Sequence, residues 1–278
     1  MEPLGPRYVA HLFRPLLDEL IALLRGLTLD DWNRPTIAGE WRVRDVAAHL
    51  LDGDLRKLAI CRDGHAIVTY RPIETERDLS SFISGLNATG VAHAARLSPR
   101  LLTDLLEVGG GWIVDLVTGL PLHGAAIFPV SWAGERESEN WMDIGREYTE
   151  RWHHQAQIRE AVSAPLLLDA TWMAPLLDFS VRALPHAYAG IAAPPGTTVT
   201  VRVHGDTEGA WSLVRGSDTW TIVSGQPASP DATASLDADT AWRLFYNALS
   251  MDEASARMRV TGETRLVQPL LRARSVIV

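Results

Sequence analysis

The stretch NWMDIGREYTERWHHQAQIREAV, residues 140–162, reads as a helix of about five or six turns at 3.6 residues per turn. Trp141, Ile144, Tyr148 and Trp152 recur at helical spacing and make one apolar stripe. Asn140 followed by Asp143 has the form of an N-capping arrangement. Glu150 and His154 are four residues apart, so they sit one turn above each other at the edge of that stripe. A carboxylate and an imidazole so placed can share one divalent cation. Two ligands are too few for a firm site, and a third has to come from elsewhere in the chain.

Working towards the amino terminus, a second long helix is expected over 40–58, EWRVRDVAAHLLDGDLRKL. Asp45 lies near its start, where backbone amides favour an acid. Val43, Val46, Ala47 and Leu50 give its apolar face, and His49 lies beside Val46 and Leu50, turned inward. A lone inward histidine reads as a buried neutral side chain with one hydrogen bond. It also reads as the third partner that Glu150 and His154 lack. Asp52 and Asp54 are expected on the solvated side. Further helices are expected over 8–25, where Leu12, Leu16, Leu20, Leu23 and Leu24 repeat, over 79–96, and from Ser98–Pro99 onward. Gly109, Gly110 and Gly111 interrupt the last of these. No lysine follows them, so they mark a kink or a close helix crossing and not a phosphate loop. Residues 121–139 read as a long loop carrying His123, a lesser candidate for the same site. Residues 166–184 read as a helix with Pro175 as its irregularity.

Past Pro185 the pattern changes. GIAAPPG, residues 190–196, reads as a linker, and beyond it the hydrophobic period becomes two. Strands are expected over 198–203, 210–215, 219–223 and 232–236. A helix capped by Asp237 or Asp239 follows, then a final helix over 261–271 and a closing strand at 275–278. The chain therefore divides into a helical domain, residues 1–188, and a small α+β domain, residues 197–278. Short connections favour antiparallel helices in a bundle.

The 278 residues, 46% of them hydrophobic, suffice for a sizeable core. The net charge of -8 and a pI near 5.6 show no basic face for nucleic acid. Residues 197–278 hold 9 acidic and 8 basic side chains, so the acidity belongs to the helical part. Cys61 is the single cysteine, which excludes an intramolecular disulfide. The first residues lack a signal-peptide pattern, and no apolar run reaches the length of a membrane span. The expectation is a cytoplasmic protein, monomer or homodimer, with no nucleic-acid or membrane partner. Ten tryptophans against five phenylalanines suggest aromatic core and pocket wall, with Trp41, Trp141 and Trp152 mainly as packing. His153 points about a hundred degrees from His154, towards the surface or behind the ligands.

Together, WRVRDVAAHLLDGD and EYTERWHHQAQIREAV resemble the mycothiol-dependent maleylpyruvate isomerase family of the DinB-like superfamily. The resemblance implies an all-α DinB-like four-helix bundle holding a divalent metal, typically zinc. It places the family's ligands on His49, Glu150 and His154, where many other DinB-like proteins carry a histidine instead of the glutamate. TVTVRVHGDTEGAWSLVR and GETRLVQPLL are similar to the family's sterol-carrier-like α+β domain, with Arg202 and Arg215 as candidate substrate contacts. The implied activity is a metal-dependent S-transferase or thiol-dependent isomerase acting on a small electrophile. Mycothiol is the implied thiol cosubstrate, with glutathione or bacillithiol as possible replacements. Three protein ligands leave an open position on zinc, where an incoming thiol would be held as thiolate. Two other readings stay open: a metal-dependent amide or ester hydrolase, and a non-catalytic metal-containing binding protein.

Overall fold

The computed structural model describes residues 1–65, 69 and 72–277. The chain folds into an amino-terminal all-helical bundle followed by a mixed α+β part. By contact density it forms two compact units. One comprises Val9–Ile127 and Glu150–Leu166; the other comprises Met1–Tyr8, Phe128–Thr149 and Leu167–Val278.

In the first unit, α1 (Phe13–Arg25), α2 (Val43–Lys57), α3 (Glu76–Ala94) and α4 (Pro99–Gly119) are complete, and α5 (Asn140–Ala161) contributes its second half. The apolar periodicity of each helix becomes a shared core. Leu20, Ile21 and Leu24 from α1 meet Val43, Val46, Ala47, Leu50 and Leu51 from α2, Leu102 and Leu106 from α4, and Ile158 from α5. Burying such side chains is worth about 1.5–3 kcal/mol each, an upper estimate against an extended chain. Helix α3 packs on α2, where Gly90 approaches so closely that a Cβ would lie 2.2 Å from the Asp52 carboxyl carbon. The glycine triplet is a close crossing without a break: α4 runs on to Gly119, and a Cβ on Gly110 would meet Leu17 of α1 at 2.6 Å.

Asp45 caps α2, its carboxylate accepting from the Arg42 amide at 2.9 Å. Asn140 is the first residue of α5 and not its cap; the Glu139 carbonyl accepts from the Asp143 amide at 3.2 Å. The expectation for Asp54 is overturned. It is 5% exposed and ion-paired with Arg151, so its carboxylate faces α5 and not solvent. The irregular crossing after Gly64 includes Ala66, Ile67, Val68, Tyr70 and Arg71, which lie outside the described residues.

In the second unit, α6 (Ala170–Ser180) continues through Pro175 and passes by tighter turns into α7 (Leu184–Ala187). The six-stranded sheet contains β1 (Glu2–Pro3), β2 (Thr198–His204), β3 (Gly209–Arg215), β4 (Trp220–Ser224), β5 (Ala232–Asp237) and β6 (Arg259–Gly262). Its order is β1-β4-β3-β2-β5-β6, antiparallel except for the β2–β5 pair. One face carries Val199, Val201, Val203, Leu213, Ala232, Ala234 and Leu236, all buried. Helices α8 (Ala238–Phe245) and α10 (Thr264–Val267) pack against its strands, and Asp237 caps α8 through the Thr240 amide at 2.7 Å.

The connection from β4 to β5 must cross β3 and β2. It is pinned by Ser212 Oγ donating to the Gly225 carbonyl and by the Thr198 amide donating to Asp231, each at 2.8 Å. Ser212 and Thr200, 2.9 Å apart through their hydroxyls, are buried beneath it.

Three expectations change. Helix α9 (Met251–Arg257) precedes β6, and the single final helix is instead α10 followed by a tighter turn at Gln268–Arg272, where Pro269 removes an amide donor. No strand forms at 275–277: the Ser275 amide donates to the Phe245 carbonyl and its hydroxyl to the Ser180 carbonyl, while Val278 lies outside the described residues. β1 and β6 supply the sheet edges. Among the described residues no helix is long and apolar enough to cross a membrane.

Candidate metal centre

His49 is carried by α2, and Glu150 and His154 by α5, all within the first unit. The apolar period of α2 buries Val46 and Leu50 and carries His49 in with them. The four-residue spacing on α5 stacks Glu150 under His154. Glu150 Oε1 lies 3.1 Å from His154 Nε2 and 3.5 Å from His49 Nε2, and one ligand atom from each residue falls within 4.8 Å of the other two. Two donors bonded to one zinc at about 2.0–2.1 Å in tetrahedral array stand about 3.3 Å apart, so both measured separations fit such an ion.

The side chains of His49 and His154 are nearly enclosed, whereas Glu150 keeps 39% of its side-chain surface open. Trp41 walls the cluster, with its ring centroid 5.0 Å from that of His49 and 6.4 Å from that of His154. Trp41 packs against the core as expected, and its ring also stands beside the candidate ligands. Trp152 is a fully buried packing residue. Trp141, in the second unit, lies under the Arg182 guanidinium at 4.9 Å.

Burial pushes the His49 imidazole below its ordinary value, helped by the His154 and Arg56 charges and opposed by Glu150. For Glu150, desolvation works against ionisation, but its contacts with His154 and His49, with the nearby histidine charges, hold the carboxyl well below the usual carboxylate range. A neutral nitrogen donor beside an ionised carboxylate is the protonation pattern a divalent cation requires. The donor set of two imidazoles and one carboxylate fits zinc and leaves a coordination position for another group.

His123 is exposed and outside this cluster. His153 is buried, its ring centroid 4.0 Å from that of His154, so it packs against that candidate ligand and not at the surface. Sequence reading missed Gln157, whose Oε1 lies 2.8 Å from His154 Nδ1. The signal was its position three residues after a candidate ligand. It also missed the Asp54–Arg151 pair, which ties α2 to α5 near the candidate ligands.

Arg202 and Arg215 belong to the second unit. Arg202 is exposed on β2 opposite Ala210. Arg215, at the end of β3, stacks its guanidinium 5.9 Å from the Trp220 ring centroid. Strand alternation puts them on opposite faces, since Arg215 shares the side of Leu213 and Arg202 that of Thr200. One substrate group cannot be met by both from the same face.

The fold is similar to two solved structures. They are the mycothiol-dependent maleylpyruvate isomerase, with a TM-score of 0.54, and a histidine-to-alanine mutant of it, with 0.53. Each is 12% identical to this chain over 91% of it and 92% of the solved chain, an identity at which the likeness is one of fold. A ubiquinone synthesis protein, UbiJ-SCP2, overlaps 37% of this chain and 90% of its own length at 21% identity, with a TM-score of 0.25 that carries no argument for the small domain. No curated protein matches the chain. Residues 13–159, more than half of the 278, match the family described as the mycothiol maleylpyruvate isomerase N-terminal domain, and the chain belongs to that family.

Proposed function

We propose that the protein is a metal-dependent thiol S-transferase or thiol-dependent isomerase acting on a small electrophile, with His49, Glu150 and His154 as the ligands. The observation that carries this reading is the open donor set: two enclosed imidazoles and a carboxylate with 39% of its side-chain surface accessible. A bound zinc or similar divalent ion would supply the positive charge that keeps a small thiol ionised at neutral pH. His49 and His154 offer nitrogen donors, and Glu150 supplies the single negative charge. Trp41 stands beside both imidazoles.

The thiolate adds to an electrophilic carbon, and its electron pair forms the carbon–sulfur bond as the substrate double bond moves its electrons onto the activating carbonyl. Rotation followed by expulsion of the thiolate restores the double bond as its geometric isomer. Protonation of the adduct without expulsion gives S-transfer. Mycothiol is the thiol this reading favours, on the strength of the family. Arg202 or Arg215 is the proposed contact for a substrate carboxylate, and a cytoplasmic setting belongs to the same proposal.

The test is turnover by the metal-loaded protein with mycothiol, glutathione, bacillithiol or no thiol, against electrophiles including maleylpyruvate. Product mass separates transfer from isomerisation. Thiol-dependent product is expected. Equal turnover without thiol, with solvent oxygen incorporated, would replace this reading with hydrolysis.

A further inference from the structure

We infer that Gln157 is a positioning residue that fixes the tautomer of His154 and thereby presents its Nε2 as a bare lone pair to the centre. The inference rests on the metal reading above and concerns a residue that reading does not use.

Gln157 follows His154 by three residues on α5, so the two side chains share one face. The residue is buried, and its Oε1 stands 2.8 Å from His154 Nδ1. An amide oxygen only accepts, so Nδ1 must carry the proton that it donates. A neutral imidazole has one N–H, which leaves Nε2 without one. That Nε2 faces Glu150 Oε1, a second acceptor, at 3.1 Å. Two acceptors at that distance repel, and a cation shared between them relieves the repulsion.

The opposite amide orientation would reverse the outcome. With the Gln157 NH₂ towards Nδ1, the ring proton would sit on Nε2 and be donated to Glu150. Imidazole and carboxylate would then satisfy each other, and neither atom would remain for a metal. One amide therefore selects between a closed pair and an open donor set. His49 has no equivalent: its Nδ1 is buried without a hydrogen-bond partner among the described residues. Its ring is held instead by Trp41. The outer nitrogen is thus hydrogen-bonded on the α5 imidazole and not on the α2 imidazole. Partners of this kind typically change metal affinity about 10–100-fold when removed.

The experiment uses the full chain. Long-range nitrogen–proton NMR on the metal-free protein, at a pH where the ring is neutral, reads the His154 tautomer directly. Zinc and cobalt dissociation constants are measured by chelator competition. Wild-type protein is expected to show the Nδ1–H tautomer. Gln157→Leu, which keeps bulk without an acceptor, is expected to lose that preference and bind metal about 10–100-fold more weakly. Gln157→Glu restores the acceptor and is expected to recover affinity. A wild-type Nε2–H tautomer would overturn the inference whether or not the variants fold. So would a Gln157→Leu protein with unchanged tautomer and affinity. Wild-type protein that binds no metal yet holds the Nδ1–H tautomer would sink the metal reading while leaving the role of Gln157 in setting the ring intact.

Discussion

Replacing Arg151 with methionine removes one partner of a buried ion pair at the point where the two helices carrying the candidate ligands meet. Asp54 on α2 keeps 6% of its side-chain surface and Arg151 on α5 keeps 15%. The guanidinium also lies 5.4 Å from the Phe13 ring centroid. Removing one partner of a buried ion pair costs about 3–5 kcal/mol, whereas replacing both partners with apolar groups of similar volume is neutral or stabilising. The residual exposure of Arg151 places the expected loss near 3 kcal/mol, a fall of about two decades in the folded-to-unfolded ratio. The double variant Arg151→Met with Asp54→Leu should recover most of that loss. Urea unfolding followed by far-UV circular dichroism, on wild type, both single variants and the double, gives the coupling energy. A coupling below about 1 kcal/mol, with single effects that simply add, would show that the pair behaves as a solvated surface contact and refute the argument. Because the pair joins α2 to α5, metal affinity should fall in Arg151→Met and return in the double variant.

His154→Ala should lower the metal content found by elemental analysis of the purified protein, and a content equal to wild type would remove His154 from the ligands. In metal-free protein, the depressed pKa of His49 makes its stabilising contribution fully present above the unfolded value of 6.5 and lost as pH falls below it. The urea midpoint should therefore drop between neutral pH and the region below 6.5, more steeply than in His49→Gln; identical slopes would contradict the assignment. Gly145→Ala should destabilise by roughly 1–3 kcal/mol, because the new methyl would stand 1.9 Å from the buried Phe179 ring. Gly85→Ala, with nothing within 4 Å in the exposed interior of α3, should stabilise by up to about 1 kcal/mol; thermal melts of the two variants moving the same way would undo this contrast.

The helical frame and the three-residue cluster were legible because helical period carries both. His49 rides inward on the face of Val46 and Leu50, and Glu150 and His154 share a face by spacing alone. What escaped depends on partners far away in the chain. Asp54 looks solvated until Arg151, 97 residues on, reaches it. His153 is turned from His154 by the helix, yet the surroundings bury it. β1 is two residues long, too short to show an alternating pattern, and it is defined only by its pairing with β4. The supposed strand at 275–278 had the right composition, but the Ser275 amide is satisfied by the end of α8 and not by a ladder.

The single parallel pair in the sheet bears on how the chain reaches its native state. β2, β3 and β4 follow one another through short turns, so each can zip onto its neighbour locally. β5 must then be carried back over that meander, joining β2 where Thr198 and Asp231 meet across 33 residues. Closing so long a loop in an unfolded chain costs entropy, and the cost falls once the intervening strands are paired and the effective loop shortens to the crossing segment. On loop-closure entropy alone, the hairpins are expected to pair before the parallel seam.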